Sequence, residues 1–325
     1  MKQLAKTLPQ MSGDLFVTDG GIETTLIFDY GIDLPLFAAF PLLATEEGQD
    51  ALRRYYRSHA SVAAVHGTGF VFESATWRAN PDWARKLDVS QDDLVALNRR
   101  AITLMDDLRG EFPELRSVLS GCIGPRGDGY VPGELMLPEE AEAYHAVQIG
   151  AFASTSADLV TAITINNTPE AIGIVRAAQG HGLPVVISFT VETDGRLPTG
   201  QPLGAAINEV DARTDYGPAY FMLNCAHPDH FIETLRAGGD WRNRICGIRA
   251  NASRLSHAEL DEAEELDDGS PVETGRDYAE LKAFMPQLVV LGGCCGTDHR
   301  HIEQVCLATK NSLEPRVRHT RTEPA

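Results

Sequence analysis

The sequence predicts an α/β fold, a single (β/α)8 TIM barrel over residues 1–325. Three observations carry that expectation. Short apolar, β-branched runs alternate with longer amphipathic segments, as strands buried on both faces alternate with the helices that cover them. Eight such pairs fit within 325 residues, which is the number that closes a barrel at this length. No Gly-rich dinucleotide fingerprint follows the first strand, which weighs against an open doubly wound sheet, the alternative architecture. No low-complexity linker divides the chain.

The elements follow in order. LFVTDG (15–20) reads as the first strand, and TEEGQDALRRYYRSHASVAAVHG (45–67) as its helix, opened by Thr45 and two acids. TGFVFESA (68–75) is the second strand, with a helix over 90–110 that starts at Ser90 and ends on Gly110. RSVLSGCIG (116–124) pairs with a helix over 138–155, DLVTAITI (158–165) with one over 168–182. PVVISFTV (184–191) is followed by QPLGAAINEVDART (201–214), the weakest helical pattern of the series. AYFMLNC (219–225), RICGIRAN (244–251) and QLVVLGG (287–293) complete the strands, with helices over 228–239, 275–285 and 297–310. The acidic run ELDEAEELDDG (259–269) is expected to be a solvated loop or helix face.

The formal net charge of -18, with Lys+Arg 28 against Asp+Glu 46, argues against nucleic acid and against anionic membrane surfaces. No run approaches the apolar length of a membrane span, and the stretch MKQLAKTLPQMSGDLF (1–16) lacks a signal-peptide core. A cytoplasmic protein is the expectation. Six cysteines in a chain this long do not make a disulfide framework; in a reducing compartment, clustered ones read as metal ligands or catalytic groups.

Chemistry in such a barrel sits at the C-terminal ends of the strands. Those ends carry Asp19, Glu73, Thr164, Asn224 with Cys225, and the pair Cys294 and Cys295 in LGGCCGTDH (291–299). Adjacent cysteines are poorly placed for a mutual disulfide, since neighbouring Cα atoms are about 3.8 Å apart. Cys225, Cys294 and Cys295 are instead expected to converge at one mouth, where thiolates suit zinc and three protein ligands leave one position open. Adjacent strand residues point to opposite faces, so the pair shares an ion only if the chain leaves strand geometry, which Gly292, Gly293 and Gly296 permit. The alternative is a tight glycine turn with unused thiols. Cys122 ends the third strand and approaches the mouth or is buried; Cys246 and Cys306 read as small buried hydrophobes. His227, two residues after Cys225, is a fourth ligand or a helix cap, and the cap is preferred because a closed site leaves no place for substrate. His299 and His301 read as surface residues of the last helix.

TDGGIETTL (18–26), NCAHP (224–228) and GGCCGTDHRHI (292–302) resemble the signature blocks of the homocysteine S-methyltransferase family. SATWRANPDWARKL (74–87), SGCIGPRG (120–127) and GLPVVISFTVETDGRLPTGQPL (182–203) are similar to weaker blocks between them. The likeness implies a zinc-dependent barrel with Zn2+ on Cys225, Cys294 and Cys295, moving a methyl group from a cationic onium donor to a thiol, with homocysteine giving methionine. A free thiol has a pKa of about 8.5; coordination to zinc deprotonates it. Three thiolates leave the site negative, more so with a fourth from substrate, which favours a sulfonium or quaternary ammonium donor. Attack on the methyl carbon neutralises charge and needs no general base.

The resemblance implicates Asp19, Gly20 and Gly21 in holding the amino acid, their backbone N–H groups facing its carboxylate, although a tight strand–helix turn explains the same residues. Thr76 matches a threonine block. Glu73 either faces the donor's charge or is a rim carboxylate. In DLVTAITINNTPEA (158–171), Ile163 stands where relatives carry the glutamate that grips the substrate ammonium, leaving Thr164 and Asn166 as neutral polar groups. Another acid then substitutes, or the acceptor is not homocysteine. Folate-dependent relatives carry extra modules and betaine-using ones a longer C-terminal extension, so an S-methylmethionine-like donor is expected. The competing reading is a zinc-binding barrel of this family with a different acceptor or a sensor or scaffold role. A homo-oligomer is left open.

Overall fold

A computed structural model describes residues 8–263 and 265–310. Its eight strands are β1 (Phe16–Val17), β2 (Gly69–Glu73), β3 (Ser117–Ile123), β4 (Leu159–Ile165), β5 (Val185–Phe189), β6 (Phe221–Asn224), β7 (Ile245–Ala250) and β8 (Val290–Gly293). They form a closed parallel barrel in sequence order. The seam closes where Phe16 meets Val290 and Val17 meets Leu291. Each expected run contains its strand. Six of the strands stop short of their runs' C-terminal residues, which leave the ladder to build the mouth, whereas β4 and β8 reach the ends of theirs.

The helices are α1 (Glu46–His66), α2 (Pro81–Lys86), α3 (Gln91–Glu111), α4 (Pro138–Ala153), α5 (Thr168–His181), α6 (Leu203–Arg213), α7 (Pro228–Ala237), α8 (His257–Asp261), α9 (Pro271–Phe284) and α10 (His299–Lys310). Side-chain caps start several of them: Thr45 accepts from Gly48 N–H at 3.1 Å, Ser90 from Asp93 at 3.1 Å, and Asn167 from Glu170 at 2.9 Å. Each such bond satisfies a backbone donor that the helix itself leaves orphaned. The weak pattern at 201–214 does form a helix, α6. Short α2 and α8 are insertions that no apolar periodicity announces. Among the described residues no helix is long and apolar enough to cross a membrane. The expectation for 1–16 lies partly, and that for the chain after α10 wholly, outside the described residues.

Phe16, Val71, Val118, Leu159, Val186 and Met222, all buried, fill the lower interior of the barrel, with Leu8 packed beside them. Burying side chains of this size contributes about 1.5–3 kcal/mol each. A polar layer follows: Ser120 Oγ lies 2.7 Å from Glu73 Oε1 and 2.8 Å from Thr161 Oγ1. The mouth lies above it.

One surface expectation needs correction. His301 is fully buried, because its Nδ1 sits 3.1 Å from Asp298 Oδ1 and its Nε2 2.9 Å from the Asp268 carbonyl, so the ring braces the start of α10. His299 is exposed. The acidic run 259–269 is, as expected, a largely exposed helix end and loop, and Leu260, Ala263, Glu265, Leu266 and Asp267 of it also line the cavity at the mouth.

Candidate metal centre at the mouth of the barrel

The thiols of Cys225, Cys294 and Cys295 meet. Cys225 Sγ is 3.0 Å from Cys294 Sγ and 3.7 Å from Cys295 Sγ, and all three sulfurs lie within 4.8 Å of one another. Sulfurs bound tetrahedrally at about 2.3 Å would be about 3.8 Å apart, so this all-thiol donor set fits a zinc ion with little movement. Hydrogen bonding from Cys225 and Cys295 pushes the Cys294 thiol well down, and Arg249 adds to the effect against burial.

Local backbone makes the convergence possible. Cys225 follows β6 at φ 57, a left-handed conformation that turns its side chain off the strand's alternation. Its N–H is held by the Arg249 carbonyl at 3.1 Å and its carbonyl by His257 Nε2 at 2.7 Å. After β8 the chain turns over Cys294–Thr297, with Thr297 N–H on the Cys294 carbonyl at 3.1 Å and Gly296 at φ 78. A positive φ at the third position of such a turn calls for glycine. Gly293 serves close packing: a Cβ there would stand 1.9 Å from Thr297 Oγ1.

Beneath the sulfurs, Arg249 of β7 reaches across the barrel. Its guanidinium is 2.8 Å from Asp19 Oδ1 and 2.7 Å from Glu73 Oε2, and it donates to the carbonyls of Gly293 at 3.0 Å and Gly20 at 3.3 Å. Arg249, Asp19 and Glu73 are all buried. Burial opposes the charge on Arg249, but Asp19 and Glu73 outweigh it and hold it protonated. Burial pushes Asp19 up to about 6 against the pull of Arg249. Tyr55 of α1 donates to Asp19 at 3.1 Å.

The other sequence-derived residues surround this floor. Gly21 N–H is bound to the Thr297 carbonyl at 2.8 Å, so it is not free to face a carboxylate. Thr76 donates to the Cys122 carbonyl at 2.8 Å. Thr164 sits at φ 59 in a bulge of β4. Asn224 clamps it, accepting from Thr164 N–H at 2.8 Å and donating to Thr164 Oγ1 at 2.9 Å. Cys122 lines the cavity, whereas Cys246 packs into the lower interior and Cys306 into the helix–strand core. His227 caps α7, accepting from Asp229 N–H at 3.2 Å, and burial lowers it to about 4.

Four residues that sequence reasoning gave no role complete the site. Arg249 announced itself only as a charge inside an apolar strand, an informative kind of exception. Tyr130, from the β3–α4 loop, places its hydroxyl 2.9 Å from Cys225 Sγ, and its ring stacks on His257 with centroids 4.1 Å apart. Nothing local to either residue signals this. Glu23, in the helical turn Ile22–Thr24, lines the cavity beside Trp77 and Ile163. Burial pushes Glu23 up to about 7, with the charges of Cys294 and Asp19 adding to the rise. The cavity has a volume of about 380 Å3.

A family model described as homocysteine S-methyltransferase matches residues 16–309. The crystal structure of homocysteine methyltransferase MmuM from Escherichia coli, oxidised form, superposes with a TM-score of 0.71 at 17% identity, covering 93% of this chain and 98% of that one. Its metallated form gives 0.68 at 18%, over 90% and 96%. The methionine synthase of Mycobacterium leprae (strain TN) is 26% identical over 287 residues, 84% of this chain. That of Mycobacterium tuberculosis (strain ATCC 25618 / H37Rv) is 32% identical over 149 residues, 42% of this chain. The chain spans 22% and 11% of the lengths of those two relatives.

Proposed function

The chain belongs to the homocysteine S-methyltransferase family, and from that premise we propose that it transfers a methyl group from an onium donor to a thiol acceptor, homocysteine first among them, with Zn2+ held by Cys225, Cys294 and Cys295. The observation that carries this reading is the meeting of three sulfurs from β6 and β8 at the mouth of the barrel. When bound there, zinc keeps an acceptor sulfur ionised near neutral pH.

The chain's own residues supply the surroundings. Arg249 offsets part of the negative charge below the cluster and ties both carboxylates of the floor in place. Tyr130 and His257 stack over Cys225 and restrict water on that side. Acidic side chains in the wall, Asp128, Glu265 and Asp267, favour a cationic donor. In the transfer, the acceptor sulfur gains a bond to the methyl carbon as the donor's bond to that carbon breaks. The donor leaves with the electron pair as a neutral sulfide or amine, so no group need protonate it. The thiol proton goes to solvent on acceptor binding.

The test is a methyl-transfer assay on metal-replete protein, with mass detection of product. It pairs homocysteine and other thiols with S-methylmethionine and with betaine. S-methylated product from at least one pair is the expected result, with the sulfonium preferred. Full metal loading without transfer from any pair would leave the barrel a sensor or scaffold and overturn the proposal.

A further inference from the structure

An amino-acid acceptor brings an ammonium that needs a carboxylate within the cavity. Most acids of the wall are already engaged. Asp19 and Glu73 share Arg249 at 2.8 and 2.7 Å. Asp128 accepts from the N–H groups of Tyr130 and Val131 at 2.8 and 3.0 Å, within its own loop. Glu265 and Asp267 are exposed. Glu23 differs from all of these. It is half-buried and lines the cavity, and among the described residues no side chain hydrogen bond to it is found, the charge of Arg78 in the same wall acting on it from farther off. It follows Gly21, which packs so closely on the turn of the cysteines that a Cβ there would lie 2.6 Å from the Cys294 carbonyl oxygen. Proximity to the sulfurs matters because only four bonds separate sulfur from nitrogen in homocysteine. Ile163, in the same cavity, has no charge to offer.

We propose that Glu23 is the residue that recognises the ammonium of the acceptor, making α-amino thiols the preferred substrates. This inference rests on the methyl-transfer reading above. Glu23 acts on the acceptor, not the donor, so its effect shows with the donor absent.

The experiment is calorimetric titration of homocysteine and of its des-amino counterpart, 4-mercaptobutanoate, into metal-replete wild type, Glu23→Gln and Glu23→Ala, with thermal melts to verify folding. Methyl-transfer rates are measured alongside. Both variants should bind homocysteine roughly ten- to a hundredfold more weakly, and 4-mercaptobutanoate within about twofold of wild type. Equal weakening of both thiols, or unchanged homocysteine affinity, would overturn the assignment while leaving methyl transfer intact. A wild type that binds and methylates neither thiol would overturn this inference, and one that methylates no thiol at all would bring down the functional reading with it.

Discussion

Replacing Arg249 by methionine, of comparable reach but without charge, leaves Asp19 and Glu73 facing each other across a dry floor. In the wild type the guanidinium meets both carboxylates at 2.8 and 2.7 Å, and it is only 4% exposed. At an effective dielectric near 20, a pair at about 4 Å gains about 4 kcal/mol before desolvation is charged against it. Removing one partner of a buried pair costs about 3–5 kcal/mol. Arg249→Met should therefore lower the unfolding free energy by about 3–5 kcal/mol at pH 7.5, read from urea denaturation. The sign with pH is fixed by Asp19, already raised to about 6 with the arginine present. A carboxyl whose folded pKa lies above its unfolded one loses stability as pH rises between the two values, so the penalty should shrink toward pH 5. The triple variant Arg249→Met, Asp19→Asn, Glu73→Gln should regain part of the loss at pH 7.5. A single variant within about 1 kcal/mol of wild type, or a penalty indifferent to acid, would refute the reasoning.

Purified protein should hold about one zinc per chain; alanine at Cys225, Cys294 or Cys295 should abolish it by elemental analysis, while Cys246→Ala and Cys306→Ala should retain it. Full occupancy in a Cys294→Ala, Cys295→Ala double variant would defeat the ligand assignment. His59, buried and lowered to about 4 by that burial, stays neutral when the unfolded chain protonates near 6.5, so its contribution to stability is present above 6.5 and is lost as pH falls toward 4. Between pH 7.5 and 5 the wild type should lose about 2 kcal/mol that His59→Leu does not, as read from paired denaturation curves; parallel curves would contradict it. Gly293→Ala should cost about 1–3 kcal/mol, because the added methyl meets Thr297 Oγ1, and it should lower zinc content with it; Gly110→Ala, where nothing lies within 4 Å, is the control.

Much of the architecture was legible because burial leaves a period in the sequence. All eight strands fell within runs read from apolar patterning alone, and Cys225 with Cys294 and Cys295 was found from strand-end position. What stayed hidden depends on partners distant in sequence. Arg249 meets Asp19 across 230 positions, and no local pattern encodes that. His301 looked like a surface helix residue because a histidine in a first turn normally is one; only its contacts with Asp298 and Asp268 bury it. The left-handed conformations of Thr164 and Cys225 were equally invisible, since neither residue type asks for them. Glycines drew attention to the turn after β8, but only Gly296 uses its left-handed freedom there; Gly293 is small because Thr297 is near.

The apolar plug in the lower barrel, topped by the layer around Ser120 and Glu73, closes one end of the interior. Ligands therefore do not reach the cavity through the floor. Under the proposed transfer, acceptor, donor and both products would share this mouth, and an acceptor bound at the sulfurs would sit beneath the donor. Traffic would then be ordered, with acceptor entering first and the spent donor leaving before the methylated thiol. A donor that arrives early stands in the doorway, so high donor concentrations should slow turnover, and raising the acceptor concentration should relieve the slowing.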